Sequence, residues 1–302
     1  AVGANALDAN TTGDNNIAAG KNALGTNTEG ANNTALGHRA LSENTTADNN
    51  TAVGYFALEN NTTGTQNVAI GVEALDANTT GDSNTAVGYQ ALTANTASNA
   101  TAVGRRALYA NSSGSNNSAV GQNALANNAT GGDNTAVGKS ALDFNTTGAQ
   151  NTAVGSLALD ANTTANNNTA VGYASLTTNT TGAENTALGR SALQQNTTGG
   201  NNVAVGYDSL VLNTTGNNNV AVGNYALDAN TTANNSTAVG YAALSANTAS
   251  SNTAVGQSAL LSNTTGIQNV AIGAIALDAN TTANNNVAIG YNTLGVNTTG
   301  DQ

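Results

Sequence analysis

The chain has 302 residues, of which only 8% are charged, and it contains no Pro, Cys, Met or Trp. Six basic against 17 acidic side chains give a formal charge of −11, which makes the chain a poor candidate for nucleic acid or an anionic membrane, since both require basic patches. Without Cys there are no disulfides and no thiolate metal sites, and no apolar run approaches the ~18 residues of a membrane span.

Seventeen-residue units repeat from the first residue, starting at Ala1, Ala18 and Ala35 and ending with the unit at Ala288. Two units, at Ala86 and Ala238, have sixteen residues and carry "NTAS" where most others carry "NTTG". Fixed-period repetition is the sign of a stacked repeat architecture. The opening "AVGANALDAN" is itself a repeat, so it reads as fold and not as a signal peptide. The whole chain is expected to be one β-solenoid domain, 1–302. Asn, Thr, Gly and β-branched residues are poor helix formers, and no 3.6-residue period is present. Fixed-phase Val and Leu argue against disorder.

Taken in chain order, each unit opens with the strand "NTAVG". Its alternation sends positions 17 and 2 to one side and positions 16, 1 and 3 to the other. With Val at position 2, the expectation is that 17 and 2 face the interior. Ala at position 1 and Gly at position 3 never vary; their small size predicts a close approach, by the opposite wall or by another chain. Positions 4 and 5 vary most. All six basic residues, His38, and most aromatics fall there, including Tyr55, Tyr89, Arg105, Arg106, Tyr173, Arg190, Tyr207, Tyr241 and Tyr291. This stripe reads either as a solvated edge or as a ligand-contact surface, since Tyr and Arg anchor partners and sugars well.

"AL" at positions 6 and 7 predicts a second short strand. The invariant Leu7, Leu24, Leu41 and their equivalents are expected to form the interior apolar ladder. Acids recur at position 8 (Asp8, Glu59, Asp76, Asp143, Asp160, Asp228 and Asp278), too sparsely for a calcium ladder, so no metal and no cofactor is expected. Position 10 is always Asn (Asn10, Asn27, Asn44 onward). Its column reads as an amide ladder of the cross-β kind in preference to a glycosylation site. "NTTG" is turn chemistry. The chain has no Asn-Gly pair, the strongest hairpin signal, which favours parallel coils over a meander. A lone His, no Cys and scattered Ser offer no nucleophile–base set, so no enzyme is expected.

"NTAVGYQAL" and "NVAIGVEAL" resemble the head repeats of trimeric autotransporter adhesins and related phage and viral tail-fibre-like proteins. The resemblance covers the whole chain and rests on Ala1, Val2, Gly3, Ala6 and their equivalents; the longer unit, with its "NTTG" loop, departs from it. It implies a left-handed parallel β-roll of three chains. It also implies a cell-surface, extracellular or virion location, and attachment to a host glycan or protein. A thin core of this kind, which must offset chain entropy, also suggests burial against copies of itself. The absence of polar caps suggests a segment of a longer fibre. The alternative is a monomeric ligand-binding array for a glycan or for ice. Thr columns at positions 11, 12 and 17 could order water, although Thr at 17 reads as inward.

Overall fold

The computed structural model describes residues 1–300 and is all-β, with 17 three-residue strands and no helix among the described residues. The chain divides into two units, 1–150 and 151–302. In the first, β1 (Ile17–Ala19) to β8 (Thr135–Val137) follow one another as parallel neighbours. In the second, β9 (Thr152–Val154) to β17 (Val287–Ile289) do the same. Each unit is a parallel β-solenoid, one strand per repeat. Equal positions pair in strict register, as in Thr34↔Thr51, Ala35↔Ala52 and Leu36↔Val53.

The strand's two faces are the reverse of the sequence expectation. Position 1 points inward: Ala35, Ala52 and Ala69 are fully buried. Position 2 points outward, with Leu36, Ile70, Val120 and Leu188 at 38–47% exposure. Position 17 shares that outward face. The physical reason lies across the interior. The leucines of position 7, fully buried from Leu24 to Leu277, already fill the space facing the strand. Only a methyl group fits opposite them at close-packed density.

The "AL" segment is a run of turns with no strand. In every coil described in full, three non-glycine positions adopt left-handed backbone: position 5 (Arg39 φ 55°), position 7 (Leu41 φ 54°) and position 15 (Asn49 φ 62°). Left-handed Leu is costly, about 1–2 kcal/mol, and here hydrogen bonds between coils hold it. The N–H of Asn22 donates to Ala4 O in the preceding coil (2.8 Å), whereas that of Leu24 donates to Ala40 O in the next (3.1 Å). The backbone alternates which neighbour it bonds, and the left-handed residues make that reversal. Position 3 also needs positive φ, 126° to 143°. A Cβ at Gly172 would stand 2.5 Å from Gly189 O. The close approach is therefore the neighbouring coil's own backbone, neither an opposite wall nor another chain.

Polar columns line the remaining walls. Asn27 donates to Asn10 Oδ1 (2.8 Å) and to Gly30 O (2.9 Å), and Asn44 donates in turn to Asn27 Oδ1 (2.8 Å). Asn27 and Asn44 are fully buried; Asn10, in the first coil, is half-buried. A second Asn column at position 16 binds the backbone on both sides. Asn50 Oδ1 accepts from Asn67 N–H (2.9 Å), and its amide donates to Gly64 O (2.9 Å). The sign of this column in the sequence is that position 16 is Asn in 15 of its 17 occurrences. Thr hydroxyls of position 11 form a third column, as in Thr62 Oγ1 donating to Thr79 O (3.0 Å).

The two sixteen-residue coils keep the same lattice. Strand pairing shifts by sixteen there, Thr85↔Thr101 and Thr237↔Thr253. Asn95 and Asn247 reach the carbonyls of Ala97 and Ala249, two residues on instead of three. The role of the deleted side chain passes to Ser98 and Ser250, whose Oγ atoms accept from Asp82 and Asn234 N–H (2.9 and 3.0 Å).

Candidate functional site

Two surfaces carry chemistry that the fold itself does not consume. The first is the outward face of the strands, with aliphatic groups at position 2 beside Thr or Val at position 17. Parallel in-register pairing repeats these groups about every 4.8 Å across strands, and the two rows lie about 6.7 Å apart along each strand.

The second is the stripe of positions 4 and 5, which the left-handed residue at position 5 turns outward. Tyr55, Tyr89, Tyr173, Tyr241 and Tyr291 are 47–78% exposed. Arg105 and Arg190 are exposed, and Arg106 and Tyr207 half-exposed. The structure gathers some of these residues and leaves others apart. Arg190 lies over the Tyr207 ring (5.5 Å), and Tyr207, Tyr225 and Tyr241 form an edge-to-face ladder at 5.4 and 5.8 Å. Arg106 turns away from the stripe to cover Tyr109 of position 8 (4.3 Å).

The densest chemistry lies in the first five coils. The His38 ring stacks on Tyr55 at 5.3 Å, and Tyr55 packs on Phe56 at 4.0 Å. Arg39 bonds Glu59 at 2.6 Å and stands 3.7 Å from Glu43. Burial and the charges of Glu59 and Glu73 push the Asp76 carboxyl up to about 6, against the pull of Arg39. Burial also raises Asp143, opposed by a hydrogen bond from Ser140 and by Arg106, and it raises Asp228. A groove of about 560 Å³ crosses the first three coils, lined by Asn5, Asp8, Asn22, Gly25, Thr26, His38, Arg39, Ser42 and Glu43. His38 and Arg39 belong to the stripe of positions 4 and 5 and Asp8 to the acids of position 8, but their meeting in one groove is a product of the fold. Its sign in the sequence is Gly25, which leaves position 8 without a side chain between Asp8 and Ser42.

No group of three or more His, Asp or Glu side chains is placed to hold a metal ion among the described residues. No described helix is long and apolar enough to cross a membrane. A scan against protein-family models finds no match, and a search of curated proteins finds no similar sequence.

Proposed function

We propose that the chain is a structural element of an extracellular fibre, with an attachment role, and that copies of it associate through the outward face of positions 17 and 2. The observation that carries this reading is the aliphatic column at position 2. Apolar side chains recur there in every coil after Ala19, although the solenoid closes its own core without them. Long contiguous apolar patches on soluble proteins mark contact surfaces. Within each unit a repeating column is self-complementary, because a rotation about an axis parallel to it brings equal coils together. The earlier idea of a contact through Ala1 and Gly3 does not survive, since their equivalents are occupied by the chain's own packing. The resemblance to trimeric adhesin heads suggests three copies.

Absolute mass by light scattering tests this reading. A mass of three 29.5 kDa chains supports it; a stable monomer overturns it.

The outward Thr favours a second reading as an ice-binding array. Ten of 17 residues at position 17 are Thr, on the face the sequence had assigned to the interior. Regular Thr and Val rows on an exposed sheet could order water. This reading requires the face to be free. A monomer with thermal hysteresis would support it, and a monomer without any would sink it.

A further inference from the structure

We propose that the groove across the first three coils is a binding site for a neutral saccharide. This deepens the attachment role and rests on it for its purpose. A pyranose presents a C–H face and a rim of hydroxyls, so it needs a ring to lie on and amides or carboxylates in reach. The groove supplies both.

His38 supplies the ring. Tyr55, in the coil after it, covers one face with the planes 16° apart. The other face is turned toward the coil before, where Asn22, Gly25 and Thr26 line the groove. His38 Nδ1 is closed to solvent and has no hydrogen-bond partner among the described residues, so it is out of a ligand's reach, and what the ring offers a saccharide is its face. The rim is supplied by amides and carboxylates. Asn5 donates to Asn22 Oδ1 (3.0 Å), which fixes the Asn22 amide with its own N–H groups still to give. Ser42 donates to Glu43 (3.4 Å). The volume of about 560 Å³ falls in the range of small-ligand sites.

Charge narrows the ligand class. Arg39 is engaged by Glu59 and Glu43, so the groove has no free guanidinium for a sulfate, phosphate or carboxylate. What remains is a set of amides and hydroxyls with the carboxylate of Asp8, acceptors and donors that suit hydroxyls and repel an anion. Gly25 keeps the floor open. Its backbone is not left-handed, and its equivalents carry side chains as large as Gln194 and Tyr109, so the fold does not require glycine there.

The test is saturation-transfer NMR followed by titration, with the full chain, the methyl glycosides of common neutral pyranoses and, as a charged control, the methyl glycoside of an amino sugar. Wild-type protein is expected to bind at least one of them at up to about 10 mM. Gly25→Gln, which fills the groove with a side chain the fold accepts elsewhere, should weaken binding at least about tenfold with an unchanged circular dichroism spectrum. His38→Ala should weaken it as well, and Tyr241→Ala, on the other aromatic cluster, should leave it unchanged. Binding that survives Gly25→Gln, binding of an amino sugar alone, or no binding overturns the proposal. None of these outcomes changes the mass by light scattering, so failure here is separate from failure of the self-association reading.

Discussion

At the residue scale, the coil concentrates cost in a few places and offsets it by stacking. Left-handed leucine is one such place, and the acids of position 8 are another. Asp76 lies beside Glu59 and Glu73, and Asn60 donates to its carbonyl (3.0 Å). Its carboxyl is raised from 3.8 to about 6, so between those values the folded chain binds a proton that the unfolded chain does not. Stability therefore falls as pH rises through that window. Above about 6 the full penalty of an ionised, half-buried carboxylate is present. Asp76→Asn removes the charge. The variant is expected to melt higher than wild type near pH 7, and the gap should close as pH falls to about 4. Thermal melts of both proteins across that range check it; a gap independent of pH would mean that Asp76 is not the source. Asp143 and Asp228 are shifted in the same direction by burial, so they add to the same slope.

At the scale of the coil, the amide column ties consecutive repeats together. Asn128 donates to Asn111 Oδ1 (2.7 Å) and Gly131 O (2.9 Å), and accepts from Asn145 (2.7 Å). Asn128→Ala leaves buried donors and acceptors on both neighbours, a loss of about 1–3 kcal/mol. Asn128→Asp is expected to be worse, although it is nearly isosteric. It turns two donated bonds into contacts between oxygens and buries a charge without a cation. Urea unfolding of the two variants ranks them, and Asp equal to or milder than Ala would refute the amide-ladder account. Much of this element was legible in the sequence. The period, the parallel stacking, the Leu column and the Asn10 column all follow from what recurs and what never varies. The facing of the strand did not follow, because alternation separates two faces without saying which is inside. Hydrophobicity pointed to Val, whereas sterics chose Ala. The better clue was invariance: position 1 is Ala in all eighteen units, while position 2 admits Val, Ile, Leu and Ala. A residue that can never grow marks the tight wall. The left-handed leucines could not be read at all, since nothing in Leu's local preference suggests them; they arise from hydrogen bonds between coils.

At the scale of the whole molecule, the question is what covers the outward aliphatic face. Ala and Leu columns fill the solenoid's interior, so this face adds little to the folding of a single chain beyond contacts between neighbouring strands. Substitutions there should separate folding from assembly. Val120 and Val137, in consecutive strands of the first unit, are 41% and 38% exposed. The double variant Val120→Glu, Val137→Glu places two carboxylates on that face without touching the Ala and Leu columns behind it. If copies associate through the face, each contact acquires like charges in an apolar seam. Such unpaired burial costs several kcal/mol per ion, so the oligomer is expected to fall to single chains by light scattering at the same concentration. The strand signal in circular dichroism should persist: Val120 and Val137 are register partners, so the two carboxylates repel across the face, but an exposed cross-strand pair of this kind costs only up to about 1 kcal/mol. Glu substitutions at Tyr241 and Tyr291, on the stripe of positions 4 and 5, should leave the mass as it was. If the mass is unmoved by the Val pair but falls with the Tyr pair, the seam lies on the aromatic stripe, and the aliphatic face is left free for water or ice.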